Sequence, residues 1–356
     1  MGSMKATEES FVRAEITGHT GVLTLTRGKA LNALNRSMYH QLVDALLMWR
    51  EDPAIAEVVV RSELPKALCA GGDIKEVRQA ALDGHEDEIR DAFGTEYAMN
   101  AIIADYPKPY VAVMNGIVMG GGMGLSVHGS HRIVTETSQL AMPETAIGFF
   151  TDVGASWFLP RVTRGAGATI DDDAARRASL AVARYLGLGG VRLNGADAIA
   201  LGLADTYIDS SDVDAFVNTV LTEGVDAAVS AFGKDAPESE LLGRWDEIVQ
   251  RYSGETLEEV VASAGAELEG MSPTSLSRVF ELLNRGSEDS TVLSCLEREL
   301  RMAEDTAVGH DFIEGVRAMV VDKDKTPQWE PATVAGVDQE RIRTVADEKS
   351  ELPITV

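Results

Sequence analysis

Cysteine is nearly absent. Only Cys69 and Cys295 occur in 356 residues, so no disulfide framework staples this fold. Basic residues are also scarce: 32 Lys and Arg stand against 57 Asp and Glu, a formal net charge of -25. A field of that sign repels nucleic acid and anionic membrane, and neither is expected as a partner. A polyanionic ligand would need a local basic patch. No apolar run reaches the roughly 20 residues that cross a bilayer. The histidines show no metal spacing, and His85-Glu86-Asp87-Glu88-Ile89 lacks the second His of a zinc helix. Asp171-Asp172-Asp173 and Asp322-Lys323-Asp324 read as solvated charge rather than calcium loops, so no metal is expected. The start, Met1-Gly2-Ser3-Met4, reads as a tag remnant, and 1–10 as a disordered leader. The residues after Met4 have neither an apolar signal core nor an Arg-rich pattern, which makes a cytoplasmic location the expectation.

What is present is ordinary globular material: 45% hydrophobic and 25% charged residues. Segments 11–17 and 22–26 alternate as strands, with Gly18 and Gly21 marking the turn. Asn35 or Ser37 can cap a helix carrying Leu42, Leu46 and Trp49. Segment 55–61 reads as a buried strand, 67–72 as a loop, and Asp73 as the cap of the next helix. Helical periodicity over 86–104 stops at Pro107-Lys108-Pro109. Segment 110–114 is a strand, 120–127 a glycine-started helix and 132–135 another strand. Strand and helix alternate, which implies an α/β core with parallel elements. Beyond 195 the pattern is mostly helical, with a polar, linker-like stretch at 233–243. The expected organisation is a core over 11–193, a helical region over 194–330 and a tail over 331–356.

Chemistry concentrates in three places. Lys66-Ala67-Leu68-Cys69-Ala70-Gly71-Gly72-Asp73-Ile74-Lys75 follows a strand and opens a helix, where free N–H groups can meet an anion or oxyanion. Taken alone, a tight turn capped by Asp73 explains it as well. Gly120-Gly121-Gly122 offers a second set of N–H groups. It misses the dinucleotide fingerprint at Leu125, and no Lys-Ser/Thr follows it as in a phosphate loop. The third place is the run from Met142 to Gly154. Glu144 and Asp152 are its only acids, in otherwise apolar company. A carboxylate there is costly unless paired or used. Backbone donors beside such carboxylates suit acyl transfer. Gly124-Leu125-Ser126-Val127-His128 fails the serine elbow, because His128 stands where glycine is required. Cys69 has no nearby His to activate it.

These segments together resemble the enoyl-CoA hydratase/isomerase (crotonase) superfamily, and within it the thioester-hydrolase subgroup. Met271-Ser272-Pro273-Thr274-Ser275-Leu276, the run from Gly309 to Ala318, and Pro327-Gln328-Trp329 extend the likeness over roughly 11–329. The resemblance implies an α/β, crotonase-like spiral of β-β-α units with a helical C-terminal region. It implies hydrolysis of a short-chain 3-hydroxyacyl-CoA thioester, with 3-hydroxyisobutyryl-CoA of valine breakdown as the expected substrate. No cofactor is implied, since coenzyme A is part of the substrate. Oligomeric state is left open, with a homo-oligomer allowed.

Carried over residue by residue, the backbone N–H groups of Gly72 and Gly121 would form the oxyanion hole. Glu144 would be the main catalytic carboxylate and Asp152 the second acid. Glu96 would line the acyl pocket, and Lys66 and Lys75 would meet the coenzyme A phosphates. Gly124 stands where hydratases carry a second glutamate, so a single carboxylate is expected at the reacting centre, which favours hydrolysis over hydration. Other readings are a hydratase or isomerase using Glu144 with Asp152, and a non-catalytic acyl-CoA-binding protein. Thr151 departs from the subgroup, which usually has proline there, and Ala155-Ser156 replaces glycines. About a dozen extra residues after Arg161 are expected to form a surface loop.

Overall fold

A computed structural model describes residues 10–354, so the expected leader lies outside the described residues except for Ser10. In chain order the strands are β1 (Val12–Thr17), β2 (Thr20–Leu25), β3 (Glu57–Ser62), β4 (Ala67–Cys69), β5 (Tyr110–Met114), β6 (Ile117–Met119), β7 (His131–Val134), β8 (Gln139–Ala141), β9 (Leu193–Asn194) and β10 (Thr206–Tyr207). They form two sheets, β1-β2-β3-β5-β7-β10 and β4-β6-β8-β9. Every residue of β2 and β5 is buried. β5, Tyr110-Val111-Ala112-Val113-Met114, reads as a continuous apolar run, as a central strand covered on two faces does, whereas β2 also buries Thr20 and Thr24.

The architecture is a repeated excursion. A strand in the larger sheet is followed at once by a strand in the smaller one and then by a helix or a helical turn: β3, β4 and the helix Ile74–Asp83, then β5, β6 and the helix Gly121–Val127, then β7, β8 and the 3-10 turn Glu144–Ile147. This is the β-β-α spiral that the resemblance implies. β4, β6 and β8 are parallel neighbours, with Met119 opposite Ala141 and Cys69 opposite Val118. Their carboxyl ends therefore lie side by side, and the segments leaving them meet. Segment 67–72, expected as a loop, begins as the strand β4. The buried residues Ala67, Leu68 and Cys69 fit against β6.

Helix bounds follow the chemistry of their caps. Asn35, not Ser37, caps the helix Arg36–Glu51 by accepting from Met38 N–H. Asp73 stands at the N-cap of the next helix but makes no cap bond, because its carboxylate pairs with the Arg27 guanidinium at 2.7 Å. The extra residues after Arg161 form an exposed loop, closed when Asp172 caps the helix Asp173–Gly189. β9 and β10 join the two sheets from position 193 onward. In the final stretch the helix Gln339–Asp347 buries Ile342, Val345 and Ala346. No helix among the described residues is long and apolar enough to cross a membrane.

Candidate active site

A cavity of about 320 Å³ opens where β4, β6 and β8 end. Gly71 and Gly72 follow the first of these strands, Gly120 and Gly121 the second, and Pro143 and Glu144 the third. Ligand sites at the carboxyl ends of parallel strands are general in α/β folds. Ile74, Phe93, Phe149 and Phe312 supply apolar wall, with Met319 and Val320 from the π-helical turn Arg317–Val321.

The two glycine loops lie side by side at the cavity, and neither Gly72 N–H nor Gly121 N–H has a backbone acceptor among the described residues. Leu34 N–H donates to Gly71 O at 2.8 Å, and Asp73 N–H donates to Leu34 O at 2.7 Å. That parallel bridge leaves the intervening Gly72 N–H pointing away from Leu34. Gly121 is the first residue of its helix, so its N–H has no intrahelical acceptor. A Cβ on Gly121 would lie 3.4 Å from Gly72 N and would collide with a Glu96 oxygen. Gly120 has φ +49°, and a Cβ there would stand 2.7 Å from Glu144 Oε1. Only glycine lets the loop run this close to two carboxyl groups.

Three carboxyl groups share the cavity wall: Glu96, Glu144 and Asp152. All three side chains are buried. Among the described residues, no Lys, Arg or His lines the cavity with them. Asp152 and Glu96, expected as the second acid and as acyl-pocket wall, stand with Glu144 here. Burial, then Asp152, holds the Glu144 carboxyl well above the ordinary range; Glu96 adds to this. Burial and Asp152 do the same to Glu96. Asp152 is pushed up to about 7 by burial, against the stabilising bond from the Tyr97 hydroxyl at 2.7 Å. Like charges in one dry pocket cannot all ionise together. Glu144 Oε2 is buried without a hydrogen-bond partner among the described residues, a costly state for a carboxyl that serves only structure.

The family model for enoyl-CoA hydratase/isomerase matches residues 20–345. This chain belongs to that family. It is 37% identical to the mitochondrial 3-hydroxyisobutyryl-CoA hydrolase of Xenopus laevis, over 91% of this chain and 86% of the relative. The human protein of the same name is 36% identical, over 93% of this chain and 87% of its own length. Among solved structures, a carnitinyl-CoA dehydratase from Mycobacterium thermoresistibile superposes with TM-score 0.87 at 34% identity, over 97% of this chain and 99% of that one. An enoyl-CoA hydratase from Rhodobacter sphaeroides 2.4.1 gives 0.84 at 34% identity, over 95% and 97%.

Within this enoyl-CoA hydratase/isomerase family member, the expected site residues fall into two groups. Gly72, Gly121, Glu144, Asp152 and Glu96 converge on the cavity. Lys66 and Lys75 are exposed and stand at either end of the 66–75 segment, outside the cavity lining. Gly124 is not at the cavity. A Cβ there would meet Asn100 Nδ2 and Val153 Cβ, each at 2.7 Å, so the position is closed to any side chain without rearrangement. Ser126 donates to Gly122 O at 2.7 Å and His128 engages Val153 O, so these two side chains bond elsewhere. The Cys69 thiol is buried and pushed up to about 12, which keeps it inert.

Several contributors carry little signal in the sequence. Tyr97 has none beyond its place beside Glu96 on the helix Glu86–Ala104. Thr151, which departs from the subgroup, donates to Gly187 O at 2.9 Å. The C-terminal motifs serve the Glu144 turn directly. Ser272 N–H donates to Thr145 O at 3.1 Å, and Ser272 Oγ donates to Asp311 at 2.6 Å.

Proposed function

We propose that this chain hydrolyses a short-chain 3-hydroxyacyl-CoA thioester, with 3-hydroxyisobutyryl-CoA as the substrate of choice and no cofactor beyond the coenzyme A it carries. The observation that carries this reading is that Glu144 shares one cavity with the acceptor-free N–H groups of Gly72 and Gly121. The thioester oxygen sits between Gly72 N–H and Gly121 N–H, where each donor is typically worth about 3–4 kcal/mol in the transition state. Glu144 then acts by one of two routes. As a nucleophile it forms a mixed anhydride, the coenzyme A thiolate leaves and takes up a proton, and water cleaves the anhydride. As a base it takes a proton from water, which adds to the carbonyl before the thiolate departs. Asp152 Oδ2 is taken by Tyr97. Its other oxygen is free to accept from the substrate 3-hydroxyl. Lys66 and Lys75 meet the phosphates outside the cavity.

The hydratase reading draws on the named activities of the two structural relatives. Against it stands the closed position at Gly124, which leaves no room for a second glutamate from that helix. Release of free thiol from 3-hydroxyisobutyryl-CoA, with little loss of enoyl absorbance from crotonyl-CoA, is the expected result. Fast crotonyl-CoA hydration without thiol release would overturn the reading in favour of the hydratase.

A further inference from the structure

Asp152 is followed by backbone that an L-residue resists. Val153 has φ +54°, in the left-handed region, where a β-branched residue is an outlier. Gly154 follows at φ +81°. Such backbone persists only where its surroundings over-determine it. Val153 is fully buried, and its side chain packs against Gly124.

The surroundings that hold it come from a distant part of the chain. Glu299, on the helix Val292–Ala307, is fully buried. Its Oε2 accepts from Gly154 N–H at 2.6 Å. Its Oε1 accepts from Ser156 N–H at 3.1 Å and from Ser156 Oγ–H at 2.5 Å. On the other side the His128 ring donates from Nε2 to Val153 O at 2.8 Å. Among the described residues no cation pairs with Glu299, whose carboxyl is pushed up to about 8 by burial. A buried carboxyl without a cation is a poor way to gain stability. Its three bonds all fall on the second and fourth residues after Asp152.

We propose that Glu299 is a positioning residue for Asp152, holding the strained 153–156 backbone so that Asp152 stays against Tyr97 and faces the cavity. The proposal deepens the reading above and rests on the role given there to Asp152. Ser156, one of the departures from the subgroup, supplies the hydroxyl that completes the clamp.

A set of variants of the full chain tests it by thiol release and by thermal melting. Glu299→Gln turns an amide N–H toward a donor and should lower kcat about 10-fold or more while KM moves less than about 3-fold, the pattern of a lost transition-state arrangement. If the clamp restrains strain, Glu299→Gln with Val153→Gly should regain most of that loss. Glu299→Gln with Val153→Ala should not, because alanine removes the same packing but keeps the Cβ that makes φ +54° costly. Wild-type kcat in folded Glu299→Gln would overturn the proposal, as would equal recovery, or none, with glycine and alanine at 153. Should Glu299→Gln fail to fold, the same two partners are placed on Ser156→Ala, and wild-type kcat in that variant overturns the proposal too. Asp152→Asn separates the two layers. If it is inactive while Glu299→Gln is normal, only the positioning role falls; if it turns over normally, the role of Asp152 falls and the proposal falls with it.

Discussion

The two acid-bearing turns begin alike and are held by different means. Thr145 and Thr151 each donate to a terminal carbonyl of the same helix, Leu188 O and Gly187 O, at 2.9 Å. From there they diverge. Beyond the bond from Ser272 N–H to Thr145 O, the Glu144 turn is held by shape. Gly148, at φ +74°, lies so close to the Asp311 backbone that a Cβ would overlap it, and Gly315 approaches Ile147 just as closely. The Asp152 turn is held mainly by directed hydrogen bonds, donated by the Tyr97 hydroxyl and the His128 ring and accepted by Glu299. Shape tolerates no added atoms, whereas hydrogen bonds tolerate added volume but no loss of a partner. Both supports reach back from the C-terminal helices, so those helices complete the site rather than merely cover it.

The largest expected effect is on the shape-held turn. Gly148→Ala forces an L-residue to positive φ, typically about 1–2 kcal/mol, and also drives a Cβ into backbone that cannot swing aside, for a total above about 3 kcal/mol. Thermal melting should show a large fall. Gly154→Ala, at a similar φ, meets side chains and no backbone, the His128 ring at 2.7 Å and Val292 at 3.4 Å. It should cost about 1–2 kcal/mol, and equal losses at the two glycines would erase the distinction between the turns.

The carboxyl groups themselves differ next. Glu144→Gln should lower thioester turnover by at least about 100-fold with the fold intact, a usual loss for an acid-base group. Near-normal thiol release would remove Glu144 from the chemistry. Asp152→Asn should harm 3-hydroxyisobutyryl-CoA about 10-fold more than isobutyryl-CoA, since a site built around a hydroxyl penalises its loss of partner. Equal losses on the two thioesters would reassign Asp152 to general chemistry.

The last contrast is in stability against pH. The folded protein holds the Asp152 proton up to about 7, whereas an unfolded aspartate loses it near 4. Between those values the native state binds more protons, so this stability is full below the unfolded value and is lost as pH rises through the folded one. Glu144, Glu96 and Glu299 shift in the same direction. The melting temperature of the free protein should therefore fall from about pH 5 to about pH 8, and Asp152→Asn should flatten that slope. A melting temperature that rises across this range would mean that the carboxyl groups are paired, not crowded.

Much of this molecule is legible in its sequence. The helix Glu86–Ala104 and the strand Tyr110–Met114 match their periodicity to the residue, because long amphipathic or fully apolar runs leave little choice. β4 reads instead as a loop, since three residues between a turn and two glycines carry no strand period. Asp73 reads as a cap, yet Arg27, 46 positions away, takes its carboxylate. The crowding of Glu96 with Glu144 and Asp152 leaves no local trace either. One carboxyl sits on a helix face and two on turns, and nothing in their spacing shows that they meet.

Local chemistry along the chain thus determined which segments carry donors, acids and caps, because glycine, proline and hydrophobic period act over a few residues. Tertiary structure alone decided how those groups face one another. Parallel pairing of β4, β6 and β8 brings three chain segments to one point, and contacts across 145 residues of sequence, such as Glu299 with Gly154, hold a backbone that Val153 by itself would not adopt. Strain of this kind is invisible to local propensity, because the energy that offsets it comes from the far end of the chain.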